Sequence, residues 1–289
     1  MVLDGALSLA VPTVFGQSLT VKPMPEKQLL WESYDVQQQL WFKARFKLQN
    51  KTLGLISTSD EKISDRLLQI LTKAQLLNSE FLASATGCAI ETQLEFPTNW
   101  GLGTSSTLIS MIANWAEVDP YQLLDETFGG SGYDIACANA PKSLTYQLTT
   151  TPAREINLVA FNPSFKDQLY FVHLNQKQNS RDGIAQYRSN SSDKSVAVTE
   201  VSNITNAMIR CENLAEFQEL MQRHEQLLSK LIQLAPVKAR LFADFEGSIK
   251  SLGAWGGDFV LVASTLDPST YFKTKGYATI LPYSEMVKY

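Results

Sequence analysis

Three glycine-centred segments constrain this chain more than any other feature, because each falls at the end of a predicted element rather than inside one. They are Pro97-Thr98-Asn99-Trp100-Gly101-Leu102-Gly103-Thr104-Ser105-Ser106, Gly129-Gly130-Ser131-Gly132-Tyr133-Asp134-Ile135-Ala136-Cys137-Ala138, and Lys250-Ser251-Leu252-Gly253-Ala254-Trp255-Gly256-Gly257-Asp258. Strands and helices alternate around them. Leu40, Phe42, Ala44, Phe46 and Leu48 fall on one side of a period-2 segment and Lys43, Arg45 and Lys47 on the other, as in a half-buried strand. Ile63, Leu67, Ile70, Leu71, Ala74 and Leu77 then recur at helical spacing behind Ser59, a candidate N-cap. Ile90, Thr92, Leu94 and Phe96 alternate up to Pro97, and Leu108, Met111, Ile112 and Trp115 stripe a second helix. Asp119-Pro120 opens a third, short helix. In the second half, EINLVAF and QLYFVHL read as strands, a long helix runs from Asn213 to near Ala235, and DFVLVAS and YATIL close the chain as strands.

A length of 289 residues, 44% of them hydrophobic, is near the size at which one core gives way to two. Element order and composition place the boundary near residue 150, giving domains 1–153 and 154–289. With a pI of 5.4 and a net charge of -4, the chain has no basic face, so nucleic acid is not an expected partner. Cys88, Cys137 and Cys211 are too far apart and too few for a disulfide framework, which suits a reducing cytoplasm. Only His173 and His224 supply imidazoles, and this excludes a tri-histidine zinc site. His224 shares the stripe of the long helix and reads as a core or boundary residue. The N-terminus lacks the basic region of a signal peptide, and no apolar run approaches a membrane span. Ala6 to Val11 reads as a buried strand that opens without a preceding turn or cap.

The first glycine segment lies between a strand and a helix, and its two glycines allow close backbone approach. Its three hydroxyls at a helix N-terminus suit a phosphate. The plainer alternative is a glycine turn with Thr104 or Ser105 as N-cap. It is neither a Walker A loop nor a G-x-G-x-x-G turn. In the second segment, Asp134 follows three glycines in an apolar setting, which suits a carboxylate accepting a hydroxyl proton. An Asp N-cap is the alternative there. The third segment, taken alone, reads as a helix-to-strand loop.

Taken together and in order, the segments resemble the GHMP kinases. Pro97 to Ser106 matches P-x-x-x-G-L-G-S-S-A, with Thr104 for the first serine and Ser106 for the alanine. Ser131 to Ala136 matches S-G-x-D-x-A, and Gly253 to Gly257 matches G-A-G-G-G with Trp255 in the middle position. The opening VLDGALSLAVPT resembles the end of the family's first motif. The resemblance implies an α+β fold of two domains, with a mixed-sheet N-terminal domain and a ferredoxin-like C-terminal α/β sandwich. It implies ATP and Mg²⁺ as cofactors, a small-molecule acceptor, no nucleic acid and no membrane, and it leaves a homodimer open.

Carried over by position, Pro97, Gly101, Leu102, Gly103, Thr104, Ser105 and Ser106 would wrap the ATP phosphates, with Ser105 also contacting Mg²⁺. Asp134 would be the catalytic residue acting on the acceptor hydroxyl. Ser180 and Arg181 resemble a substrate-binding segment, and Gly253, Ala254, Gly256 and Gly257 would shape the cleft. An Arg181 facing solvent is the alternative there. The family's acidic Mg²⁺ ligand has no match at its usual distance, although Asp125 and Glu126 are nearby. The family also carries a strand of type G-K-x-x-L-x-G-E before V-L-D-G. The expectation is therefore of a chain beginning after that strand, about 15 to 20 residues short. The implied activity is phosphorylation of a small hydroxy acid, mevalonate first and phosphomevalonate second. A nucleotide-binding protein without turnover is the rival of another class.

Overall fold

A computed structural model describes residues 1–49, 52–83, 86–151, 153–176, 185, 187–189, 193–253, 255 and 258–288. Contacts divide the chain into two compact units. One takes Met1–Val14, Asn99–Gly101 and Ala140–Tyr289, and the other takes Phe15–Thr98 and Leu102–Asn139.

The second of these units is built on a five-stranded sheet. In chain order its strands are β2 (Gln17–Met24), β3 (Gln28–Tyr34), β4 (Leu40–Gln49), β5 (Thr52–Thr58) and β6 (Gly87–Leu94), and in space they run β2-β6-β3-β4-β5. The pair β3/β6 is parallel and the others are antiparallel, so the sheet is mixed. Its inner face follows the predicted alternation: Phe42, Ala44 and Phe46 are buried, as are Ile90, Thr92, Leu94 and Phe96. Leu40, at the start of β4, is 47% exposed instead, because the pairing shifts between Ser33 and Tyr34 just where Leu40 joins. The other face carries ion pairs, Lys22 with Glu91 and Lys43 with Glu32, as expected of a solvated surface.

Helices α1 (Glu61–Leu77), α2 (Thr104–Ala116), α3 (Pro120–Asp125) and α4 (Tyr133–Ala138) belong to this unit. Leu67, Ile70, Leu71 and Ala74 of α1 pack with Ile109, Ile112 and Ala113 of α2 in one core with Trp31 and Phe46. Burying each of the leucine, isoleucine and phenylalanine side chains contributes about 1.5–3 kcal/mol. The cap of α1 is Asp60, whose side chain accepts from the Ile63 N–H at 3.1 Å, rather than Ser59. The Ser59 hydroxyl is engaged across the sheet, accepting from the Lys43 N–H at 2.9 Å. At α3 the expectation holds, with Asp119 as N-cap ahead of Pro120.

The other unit holds two sheets. Strands β9 (Leu169–His173), β10 (Ser248–Ser251), β11 (Phe259–Ala263) and β12 (Ile280–Pro282) form an antiparallel sheet in the order β10-β11-β9-β12. Helices α5 (Ser195–Arg210), α6 (Leu214–Ile232) and α7 (Val237–Leu241) lie between β9 and β10, and α8 (Ser269–Thr274) lies between β11 and β12. A strand order of 4-1-3-2 with this connectivity is the ferredoxin-like arrangement. A short α9 (Tyr283–Met286) follows. His224 on α6 is half-buried, as expected of a boundary residue.

The second sheet joins β1 (Ser8–Ala10), β7 (Leu144–Leu148) and β8 (Arg154–Leu158) in the order β1-β7-β8. It places the division of the units elsewhere than at residue 153. Backbone pairing ties β7 to β8 and to β1, so residues 1–14 and 140–153 go with the C-terminal elements. Helix α5 strengthens this tie: the Leu7 N–H donates to Ser202 Oγ and the Thr205 hydroxyl donates to the Leu7 carbonyl, both at 3.0 Å. The strand near the N-terminus is also shorter than Ala6 to Val11. A 3-10 turn at Val2–Asp4 precedes it, closed by Gly5 at a left-handed φ of 83°.

Candidate active site

Two helix starts in the mixed-sheet unit carry the residues picked out by sequence. Beyond β6 the chain passes buried Phe96 and half-buried Pro97 into the loop that leads to α2. Gly101 and Gly103 have φ of 66° and 76°, a region that side-chain-bearing residues rarely adopt. Gly103, not Thr104 or Ser105, is the N-cap of α2, and no side chain caps that end. The first-turn N–H groups of Thr104, Ser105 and Ser106 are therefore left without a capping side chain. The 13-residue helix points its positive end at the loop. Ser105 is exposed, while Leu102, Thr104 and Ser106 are half-buried. Thr107 locks the turn through its hydroxyl, which lies 3.0 Å from the Thr104 carbonyl and 2.9 Å from Gln17 Oε1.

A Cβ built on Gly103 meets nothing within 4 Å, so space remains over the helix start. The residues fit a phosphate group, and the hydroxyl of Ser105 is the hard oxygen donor that Mg²⁺ prefers alongside phosphate oxygens. Among the described residues, no cluster of three His, Cys, Asp or Glu side chains forms a metal cage. Glu126 is paired with Lys73 at 3.2 Å.

The second start is at α4. Gly129, Gly130 and Gly132 all have positive φ, and Gly132 is the N-cap. Asp134 is therefore in the first turn of α4 and not an N-cap. Solvent reaches its side chain, yet enough protein surrounds it that desolvation holds its carboxyl above the ordinary carboxylate range. Among the described residues that carboxylate has no hydrogen-bond partner to lower it again. Burial, and secondarily the Asp134 charge, pushes the Cys137 thiol up to about 12, and burial pushes Cys88 up to about 11. Neither thiol is a nucleophile near neutral pH. Helix α4 packs on α2, and Asn139, its C-cap, donates to the buried Ser110 hydroxyl of α2 at 2.7 Å.

Of the remaining predicted residues, Gly253 has φ of 57° and follows β10. Ser180, Arg181, Ala254, Gly256 and Gly257 lie outside the described residues. Sequence reasoning missed the residues that fix the front of the loop. His173, 2% exposed at the end of β9, donates from Nε2 to the Asn99 carbonyl at 3.0 Å. Trp100 meets Phe259 of β11 edge to face at 5.4 Å. Asp258 presses on Gly101. The signal available in the sequence was the Asp that ends the third glycine segment directly before a strand.

No protein-family model matches the sequence, and no curated protein matches it. Solved structures do. Mevalonate kinase of Methanococcus jannaschii is 14% identical with a TM-score of 0.63, covering 97% of this chain and 92% of its own. The Lin0012 protein of Listeria innocua is 13% identical with a TM-score of 0.67, over 96% and 90%. Galactokinase of Lactococcus lactis, complexed with galactose, is 12% identical with a TM-score of 0.64, over 100% and 91%. The chain has the GHMP-kinase fold. Mixed and antiparallel sheets in an α+β chain are what that fold requires, and both are present. Among the described residues, no helix is long and apolar enough to cross a membrane.

Proposed function

We propose that this protein is a kinase that transfers the γ-phosphoryl group of ATP to a hydroxyl of a small hydroxy acid, with mevalonate as the favoured acceptor. One observation carries the reading. An accessible carboxylate with a raised pKa and no partner among the described residues, Asp134, stands on a helix packed against the one whose uncapped start suits phosphate. Phosphoryl transfer asks a protein mainly to position the reactants and stabilise charge, so this small set of groups suffices.

The loop from Gly101 to Ser106 would hold the ATP phosphates by backbone N–H groups and hydroxyls. Ser105 would hold Mg²⁺, which when bound neutralises charge on the phosphate oxygens. Asp134 would orient the acceptor hydroxyl and take its proton. A raised pKa makes it a stronger base, provided the pH stays above that pKa. Phosphomevalonate is the second reading, favoured by the Gly-Ser-Gly-Tyr-Asp sequence at 130–134 and the Gly-Gly-Asp ending at 256–258.

An assay of ADP release over mevalonate, phosphomevalonate, homoserine and galactose tests this directly. Turnover with mevalonate or phosphomevalonate supports the reading. Turnover with galactose alone would remove the hydroxy-acid assignment, and nucleotide binding without turnover on any acceptor would leave a binding protein in its place.

A further inference from the structure

Asp134 is reached through a link whose glycines have little packed against them. Helix α3 ends at Glu126, its C-cap, and the N–H groups of Phe128 and Gly129 still donate to the Leu124 carbonyl at 2.9 and 2.8 Å. Beyond that point Gly129, Gly130 and Gly132 have φ of 65°, 107° and 80°, and a Cβ built on Gly129 or Gly130 meets nothing within 4 Å. Glycine backbone this free of contacts does not fix its own course. At its far end α4 is tied to α2 through Asn139. At its near end the place of Asp134, two residues past Gly132, depends on what holds the chain at Thr127 and Phe128.

Arg66 of α1 meets both of those residues. Its Nη1 donates to the Thr127 carbonyl at 3.3 Å and to Gln69 Oε1 at 2.7 Å, and its Cζ lies 4.8 Å from the centroid of the Phe128 ring. Arg66, Gln69 and Lys73 recur at i, i+3 and i+7, one face of α1, and Lys73 pairs with Glu126 just ahead of Thr127. Both side chains of that ion pair are 35% exposed, so it contributes little. A planar guanidinium over a half-buried ring, bonded to a backbone carbonyl, fixes orientation as well as position. We propose, on the kinase reading above, that Arg66 is a positioning residue for Asp134: it fixes the near end of the glycine link, so that the carboxylate is held where the acceptor hydroxyl must meet it. Its charge is not what Asp134 responds to, because desolvation and not a neighbouring charge raises that carboxyl. Tyr133 and Cys137, the titratable groups coupled to it, are pushed up by burial and stay neutral near pH 7. A loosened link would admit more water to the carboxylate and lower its pKa, whereas loss of a nearby positive charge would raise it.

The test measures kcat and KM for ATP with the acceptor that the ADP-release assay identifies, and follows the Asp134 carboxyl by carbon NMR titration, in the full chain as wild type, Arg66→Ala and Arg66→Lys. Arg66→Ala should lower kcat about tenfold with KM for ATP unchanged, as a misplaced catalytic group does. Its Asp134 carboxyl should titrate at lower pH than in the wild type. Arg66→Lys, which keeps a donor and a cation over the ring, should recover most of both. Should Arg66→Ala fold poorly by circular dichroism, Phe128→Leu, which removes the ring and keeps an apolar side chain, takes its place with the same expected directions. An unchanged kcat in a folded variant, or a carboxyl that titrates unchanged or at higher pH, overturns the positioning role while the kinase reading stands. A wild type that turns over no acceptor overturns the kinase reading, and the role with it.

Discussion

Helices α2 and α4 both begin at a left-handed glycine, Gly103 at 76° and Gly132 at 80°, and neither start is capped by a side chain. Beyond that they diverge. Helix α2 runs for 13 residues with no acid in its first turn, and α4 runs for six with Asp134 in its first turn. An uncapped start on the long helix keeps its partial positive charge for an anion from outside. On α4 the same kind of start is next to the chain's own carboxylate and should favour its ionised form by about 0.3–1 kcal/mol. Desolvation acts the other way, and it prevails, because the Asp134 carboxyl is held above its usual range. One backbone device thus stands in two electrostatic settings: a helix start with no acid of its own at α2, and a desolvated carboxyl in the first turn at α4.

The largest effect that would break this contrast comes from Asp134→Asn. Removing the proton acceptor should lower kcat by about 10²-fold or more. The sign for stability is opposite. A carboxyl whose folded pKa is raised contributes stability below its unfolded pKa and loses it as pH rises through the folded value, so at neutral pH the ionised group is a burden. Asp134→Asn should therefore melt higher than wild type at pH 7 and not at pH 3. Loss of both activity and thermal stability at pH 7 would mean that Asp134 is structural. In the wild type, activity should fall as pH drops through the raised pKa, while the fold persists.

At the α2 start, Gly101 and Gly103 separate two causes of glycine dependence. Gly101→Ala adds a collision with the Asp258 carboxylate to left-handed strain, so either the loop or the Asp258 side chain must move. Nucleotide affinity should fall by about tenfold or more, roughly 1.4 kcal/mol. Gly103→Ala meets no atom within 4 Å and incurs only the conformational strain, about 1 kcal/mol. Equal losses in a titration of the two variants would show that strain alone, and not the acid, governs the loop.

The contrast was only half legible in the sequence. Period-2 runs disclosed the faces of β4 and β6 because those strands are buried on one side, and Asp119-Pro120 disclosed α3 because cap chemistry is local. The choice of Gly103 over Thr104 as cap was not legible, since hydroxyl residues are the usual caps and the left-handed turn overrides that preference. The split of the units was hidden for a different reason. Ser8 donates its hydroxyl to the Tyr146 carbonyl across 138 residues, and pairing at that separation leaves no mark on local periodicity. The closeness of Asp258 to Gly101 is of the same kind: both residues are visible in the sequence, and their meeting is not.

The finest test of the contrast is the bond that joins the two helices. Asn139 caps α4 and donates to Ser110, which is 3% exposed on α2, at 2.7 Å. Asn139→Ala should cost about 1 kcal/mol in a urea titration, the usual worth of such a bond. Ser110→Ala should cost a similar amount, and the double variant less than the sum, since both remove one interaction. Because the bond is at the far end of α4 from Gly132, it steadies the helix that carries Asp134 without touching the start of α2. Asn139→Ala should therefore lower kcat several-fold and leave KM for ATP unchanged. A rise in KM equal to the fall in kcat would show that the two helix starts respond as one body, and their division between receiving charge and accepting a proton would have to be abandoned.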